Sequence, residues 1–157
     1  MPKGMVIYDS KTGHTKNMAF AIGKGMEKAG LDVEILKLKD TKMDSLTEAD
    51  AIVLGCPTYF ANVSTAMKDF IDRSVRVYPR KLENKVGAVF TSYDGIGAEP
   101  ALLSIIMAMF LQKMIVVGHQ SGQFGAIALG DPDDKSLSEC EVFGKRIGQI
   151  TKKIAGE

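Results

Sequence analysis

The sequence predicts a three-layer α/β domain, a five-stranded parallel sheet with helices on both faces. Three observations predict it. Short apolar runs alternate with helix-like stretches along all 157 residues. The strand runs are apolar enough to be covered on both sides, as buried parallel strands are. Right-handed crossovers between successive parallel strands then place helices on each face.

The elements follow in order. KGMVIYD is a compact β run, and HTKNMAFAIGKGMEKAG sets Met18, Ile22, Met26 and Ala29 on one helical face. Gly23 and Gly25 each weaken that helix by about 1 kcal/mol relative to alanine, so packing must hold it. Gly30 is placed to close it as a C′ residue. VEILKL alternates like a strand with one covered face, and AIVLG, beyond the polar stretch DTKMDSLTEAD, is the third strand. A helix is expected over about Ser64 to Val77 with Ala66, Phe70 and Ile71 inward, and KVGAVFTS is the fourth strand. PALLSIIMAMFLQK reads as a helix apolar nearly all round, opened by Pro100 in its first turn. MIVVG is the fifth strand. The last helix is expected to start at Ser136, where S-L-S-E matches a capping box with Glu139, and to bury Cys140, Phe143, Ile147, Ile150 and Ile154.

Composition narrows the function. An apolar fraction of 45% with 25% charged residues suits one soluble globular domain. A net charge of +1 without dense basic clusters argues against nucleic acid as a partner. No cationic leader or long apolar run argues for membrane insertion, and a cytoplasmic location is expected. Cys56 and Cys140 belong to no ligand pattern, so reduced thiols and no metal site are expected.

In open parallel sheets, ligands sit beyond the carboxyl ends of the strands, so the segments after strands one, three, four and five are the ones to read; after strand five, nothing in the flanks of His119 assigns it to a ligand. After strand one comes DSKTGHT. A helix starting near Thr15 would point unpaired backbone amides and its positive dipole end into this loop, a setting for phosphate. Ser10, Thr12 and Thr15 add hydroxyls, and Gly13 permits close approach. The same hydroxyls could instead serve only as helix caps. No G-x-x-x-x-G-K-[ST] pattern exists, and G-K-G-M-E-K at residues 23–28 fails the dinucleotide spacing. After strand three, GCPTYFANVST places Tyr59 and Phe60 side by side in a loop, which a flat ligand or local packing would explain. After strand four, TSYDGIGAEP adds Tyr93 beside Asp94, with Gly95 and Gly97 able to bring backbone amides near a ligand edge.

These motifs identify a resemblance. With Ser10-Lys11-Thr12-Gly13-His14-Thr15 followed by Ala19, then P-T-Y-F-A-N and M-K-D-F-I-D, the chain resembles short-chain flavodoxins and the wider flavodoxin-like FMN-binding superfamily. Its second loop is similar to that of WrbA-type quinone reductases. The resemblance covers nearly the full length and implies a flavodoxin-like fold with strand order 2-1-3-4-5. It also implies FMN as cofactor, with Ser10, Lys11, Thr12, Gly13, His14 and Thr15 holding the phosphate. Pro57, Thr58, Tyr59, Phe60, Ala61 and Asn62 would cover one side of the isoalloxazine. Ser92, Tyr93, Asp94 and Gly95, with Gly97 nearby, would frame the other side. Tyr93 is the first choice for stacking, with Tyr59 or Phe60 second.

Related architectures fit less well. A phosphoacceptor domain needs clustered carboxylates after strand one and an aspartate ending strand three, whereas this chain has Asp9 alone and G-C-P. A tyrosine phosphatase loop needs C-x₅-R, and the residue six after Cys56 is Asn62. Cys56 reads as a small buried residue.

Carrier and enzyme remain the contenders. The leading expectation is a low-potential electron carrier serving redox partner proteins, needing no catalytic residue, as a monomer or weak homo-oligomer. The alternative is an NAD(P)H-dependent quinone or flavin reductase of the WrbA type. DTKMDSLTEAD leaves little room for the insertion those enzymes carry, and RSVRVYPRKLEN offers only Val77 or Tyr78 for a quinone pocket. Asp94, Glu99, Asp131, Asp133 and Asp134 are expected at the flavin end, with Arg73, Arg76, Arg80, Lys81 and Lys85 toward the opposite end.

Overall fold

The computed structural model describes residues Met1–Glu157. Six strands form one parallel sheet: β1 Lys3–Tyr8, β2 Asp32–Lys37, β3 Ala51–Pro57, β4 Val86–Tyr93, β5 Ile115–Val116 and β6 Ala126–Leu129. Four α-helices cover it: α1 His14–Lys28, α2 Thr65–Arg73, α3 Ala98–Leu111 and α4 Asp134–Ala155. The strand order is β2-β1-β3-β4-β5, with β6 also paired to β4. This is the expected 2-1-3-4-5 arrangement.

Side-chain alternation along the central strands divides the interior in two. Met5, Ile7, Ile52, Leu54 and Cys56 enter the core under α2, α3 and the 3₁₀ turns. Val6, Tyr8, Ala51, Val53, Ala88 and Phe90 enter the core under α1 and α4. Period-two alternation with apolar residues at both phases is what a doubly covered strand requires.

The fifth position in the sheet differs from the single run expected at MIVVG. Only Ile115 and Val116 pair there, opposite Val86 and Gly87. The chain then leaves the ladder, turns through His119–Gln123, and returns as β6 opposite Phe90–Tyr93. Within the excursion His119 accepts the Ser121 amide through Nδ1 at 3.2 Å. The short apolar run Ala126–Leu129 forms the second piece of this edge, paired with β4.

Helix boundaries carry three further corrections. Asp133, not Ser136, caps α4: its Oδ1 accepts the Ser136 amide at 2.8 Å, and Ser136 and Glu139 lie inside the helix. A carboxylate behind Pro132 is an anionic cap that also favours the dipole's positive end. In α4, Cys140, Phe143 and Ile147 are buried, but Ile150 is only half-buried and Ile154 is exposed. Thr151 turns inward in their place, donating to the Ile147 carbonyl at 2.8 Å. In α2, Met67 and Phe70 face the core while Ala66 is exposed and Ile71 half-buried, and a 3₁₀ turn over Ser74–Val77 finishes the segment. Gly30 takes φ 96° and donates to the Glu27 carbonyl, while Leu31 donates to Met26, the paired closure expected at the end of α1.

Candidate functional site

The carboxyl ends of β1, β3 and β4 release three loops that meet. Loop one leaves β1 at Tyr8, and the Asp9 amide donates to the Gly55 carbonyl at 3.0 Å, tying its base to β3. Gly13 stands at the N-cap of α1 with φ 93°, a left-handed conformation suited to glycine. Its amide donates to Ser10 Oγ at 3.1 Å, and the first helical hydrogen bond is Asn17 to the Gly13 carbonyl. No side chain caps α1, and its first turn holds no acid. By contrast, Ser64 caps α2 and Asp133 caps α4. Despite three hydroxyls at its entrance, α1 therefore leaves its first amides and the positive end of its dipole without a side-chain cap, a setting that favours an anion.

The hydroxyls divide their work. Ser10 and Thr12 stay at or near the surface, whereas Thr15 is buried. Thr15 Oγ1 meets Ser92 Oγ at 2.8 Å, which couples the first turn of α1 to the end of β4. Only one of these two hydroxyls can donate to the other, leaving the second proton to reach elsewhere. His14 Nε2 lies 4.0 Å from Asp131, one of the acids expected at this end of the sheet.

Loop two begins on a rigid floor. Thr91 donates its hydroxyl to the Cys56 carbonyl at 2.7 Å, so its oxygen accepts from Thr58 at 2.7 Å. The Thr58 amide donates to the Ser92 carbonyl at 2.9 Å. Thr58 is buried in this lattice and does not stand among the exposed loop side chains. Pro57 closes β3.

Tyr59-Phe60-Ala61-Asn62 is a tight reverse turn in which Tyr59 and Asn62 exchange both backbone hydrogen bonds at 3.0 Å. Phe60 and Ala61 have φ of 50° and 57°, a turn geometry that usually calls for glycine or asparagine. A left-handed residue with a side chain costs on the order of 1–2 kcal/mol. The Phe60 ring stands wholly in solvent at the loop tip. The Asn62 side chain accepts its neighbour Val63's amide at 3.0 Å.

Loop three, Asp94–Gly97, meets loop two at a close approach. Gly97 has φ 79°, and a Cβ there would fall 2.6 Å from Ala61 Cα and Cβ. Neither that approach nor the neighbouring Ile96, exposed between two glycines, was evident from spacing. Gly95 lies toward Leu129, and Tyr93 accepts the Gly130 amide through its carbonyl at 2.8 Å.

Electrostatics bind the loops together. Lys11 Nζ sits 5.2 Å from the Tyr59 ring centroid, so one face of that ring is already engaged. Burial pushes the Tyr59 hydroxyl's pKa up, with Asp9, Cys56 and Asp94 adding to the rise. Asp9 and Asp94 thus both face this centre. Burial raises the Cys56 thiol to about 11, so it remains protonated and unreactive. His119 stands apart, packed 5.1 Å from the Phe143 ring on the α4 side. Val77 is buried in the core, and Tyr78 shares a surface groove with Val75 and Leu111, away from the loops.

A concavity of about 950 Å³ lies between α1 and α4. Its Lys24 and Lys28 side chains both pair with Glu141, the Lys24 contact at 3.3 Å. It is an open, solvated furrow, and the converging loops offer the better chemistry.

The fold and this loop arrangement define a flavodoxin-like domain with an anion-receptive first loop. The chain belongs to the family described as NADPH-dependent FMN reductase, whose model matches residues 41–126. It is 31% identical to an NAD(P)H dehydrogenase (quinone) of Archaeoglobus fulgidus, covering 98% of this chain and 100% of that one. It is equally 31% identical to a flavodoxin of Clostridium saccharobutylicum, covering 95% and 97%. Among solved structures, a flavodoxin from the domain Archaea superposes with a TM-score of 0.83 at 34% identity, covering 96% of this chain and 99% of that chain. A WrbA-like flavodoxin from Agrobacterium tumefaciens shares the fold, with a TM-score of 0.86 at 23% identity over 98% and 99% of the two chains.

Proposed function

We propose that this protein binds FMN and carries low-potential electrons between redox proteins. The observation that carries the reading is the start of α1, which no side chain caps and which has Ser10, Thr12 and Gly13 in the loop before it, while two further loops close beside it. The donor set fits a phosphate: backbone amides at a helix start, hydroxyls, and the Lys11 cation. When bound, FMN supplies the electron chemistry, and the protein's part is to hold and tune it.

The residues then have separate tasks. Loop one grips the phosphate with Ser10, Lys11, Thr12, Gly13, His14 and Thr15, the last acting from beneath through Ser92. Pro57 and Thr58 set the height of the turn that carries Tyr59, Phe60, Ala61 and Asn62 over one side of the ring. Ser92, Tyr93, Asp94, Gly95 and Gly97 frame the other side, with Tyr93 the stacking residue. Asp9 and Asp94 oppose negative charge near the ring, which favours a low potential.

Chain length supports the carrier. Alignment with the Clostridium flavodoxin spans 158 positions, close to the 157 residues here. Alignments with the quinone dehydrogenases of Archaeoglobus fulgidus and Sinorhizobium fredii spread over 190 and 198 positions, which requires segments this chain lacks. Placing Val77 and Tyr78 away from the loops also removes the aromatic wall expected for a quinone. The second reading, an NAD(P)H-dependent quinone or flavin reductase, draws on the near-complete coverage of the Archaeoglobus enzyme.

Visible absorbance of the fresh protein tests the cofactor. Steady NAD(P)H oxidation with a quinone, without an added reductase, then decides the role. Turnover that persists through many cycles rejects the carrier, and its absence from FMN-loaded protein rejects the reductase.

A further inference from the structure

Strand β3 ends on Pro57, which has no amide hydrogen to extend the ladder toward β4. The next residue, Thr58, makes the connection by two other bonds. Its amide donates to the Ser92 carbonyl at 2.9 Å, and its hydroxyl meets Thr91 Oγ1 at 2.7 Å. Thr91 lies inside β4 and is 1% exposed, so whatever it does for a ligand passes through its neighbours.

Proton order gives the hydroxyl bond one direction. Thr91 has a single hydroxyl proton, and the Cys56 carbonyl at 2.7 Å takes it in preference to the Ser92 carbonyl at 3.2 Å. The Thr91 oxygen is then the acceptor for Thr58. Above Thr58 stands a turn that needs holding, because Phe60 and Ala61 keep left-handed backbones that persist only where surrounding contacts fix them. The Tyr59 and Asn62 backbones bond each other and not the sheet, and the Phe60 ring stands in solvent. The turn's hydrogen-bonded hold on the sheet is therefore Thr58.

We infer, on the reading that the loops hold FMN, that Thr91 is a positioning residue for the flavin ring. By accepting the Thr58 hydroxyl it fixes the base of loop two, and so sets where Tyr59 to Asn62 stand over the isoalloxazine. Loop one has separate supports, Ser10 to the Gly13 amide and Thr15 to Ser92, and neither passes through the Thr91 side chain. Loss of the Thr91 hydroxyl is therefore felt by the ring and not by the phosphate.

Fluorescence titration of the flavin-free chain with FMN and with riboflavin, well below its melting temperature, tests this. Thr91→Val keeps the side-chain shape and removes the hydroxyl; it should weaken both flavins by about tenfold, the loss of one buried hydrogen bond, with their ratio as in the wild type. Thr91→Ser, which keeps the hydroxyl, should restore both affinities. Thr58→Val cuts the same bond from its other end and should reproduce the equal loss, a readout that stands even if Thr91→Val does not fold. Thr151→Val removes an equally buried hydroxyl from α4, where it donates to the Ile147 carbonyl, and should leave both affinities unchanged, which separates positioning from stability alone. Wild-type affinity for riboflavin in folded Thr91→Val or Thr58→Val overturns the inference. So does a loss confined to FMN, a loss that Thr91→Ser does not restore, or an equal loss in Thr151→Val. A wild-type chain that binds neither flavin overturns the FMN reading itself, and this inference with it.

Discussion

The two sides of the sheet are finished in different ways. On the α1/α4 side, the helices touch backbone to backbone. A Cβ on Gly25 would overlap the Glu141 carbonyl, one on Gly144 would overlap the Ile22 carbonyl, and one on Gly148 would meet Ala29 Cβ at 2.6 Å. Residues 22, 25, 26 and 29 thereby face 141, 144, 145 and 148 at the spacing of a single helical stripe. On the α2/α3 side, 3₁₀ turns replace part of the helical cover, and an apolar cavity of about 30 Å³ remains between Ile52, Phe70 and Met109. Gln112 borders it, donating Nε2 to Ser74 at 2.9 Å while its buried Oε1 has no partner. That side also leaves its outer surface apolar.

The contrast bears on the site, because its parts hang from different sides. Loop one runs straight into α1, which is locked against α4. Loops two and three run into α2 and α3, where packing is looser and the Phe60–Ala61 turn is strained. The arrangement separates a closely packed anchor from a more loosely packed frame.

The largest expected effect comes from breaking the locked side. Gly144→Val should destabilise the protein by at least about 3 kcal/mol, since the opposing group is backbone and cannot rotate away. Leu103→Ala, outward on α3, should cost under about 1 kcal/mol. Chemical denaturation of both variants checks the pair. Equal losses would erase the distinction between the two sides.

Next comes the link between anchor and frame. Ser92→Ala strands the buried Thr15 hydroxyl and should cost about 1–3 kcal/mol. Thr15→Val with Ser92→Ala should cost less than the sum of the single changes, because both remove the same bond. Strict additivity in a double-mutant cycle would deny the coupling. On the frame, Ala61→Gly should stabilise by about 1 kcal/mol by relieving a left-handed alanine. A loss of stability there would show that the turn stores no strain.

The smallest effect is a pH dependence on the locked side. Burial lowers the His119 pKa below its ordinary 6.5; Glu139 raises it, and Arg146 lowers it further. The unfolded chain then binds the proton more readily than the folded one. Stability from this residue is present above pH 6.5 and declines as pH falls from there toward the folded value. Thermal melts in that window should shift less for His119→Gln than for the wild type.

Much of this was legible in the sequence, and the exceptions have physical causes. The strand at Met5–Tyr8 and the hydroxyl loop after it could be read because apolar run, turn and helix follow one another without ambiguity. Gly23 and Gly25 announced that packing must hold α1, and Gly25 indeed lies against α4. The two-piece edge strand was hidden because pairing with β4 is set across the sheet. Ser136 lost the α4 cap to a carboxylate three residues earlier. Thr15 read as one of three equivalent donors, but its inward orientation depends on Ser92, far away in sequence. The exposed face of α3 was visible as an all-apolar helix, without sign of which half the sheet would leave open.

The central claim is that loop one grips a terminal phosphate, and comparing FMN with riboflavin tests it most directly. Fluorescence titration of the flavin-free protein with each should give FMN an advantage of about 100-fold or more, since several charge-assisted bonds go to the phosphate alone. Equal affinities for the two flavins would contradict the account.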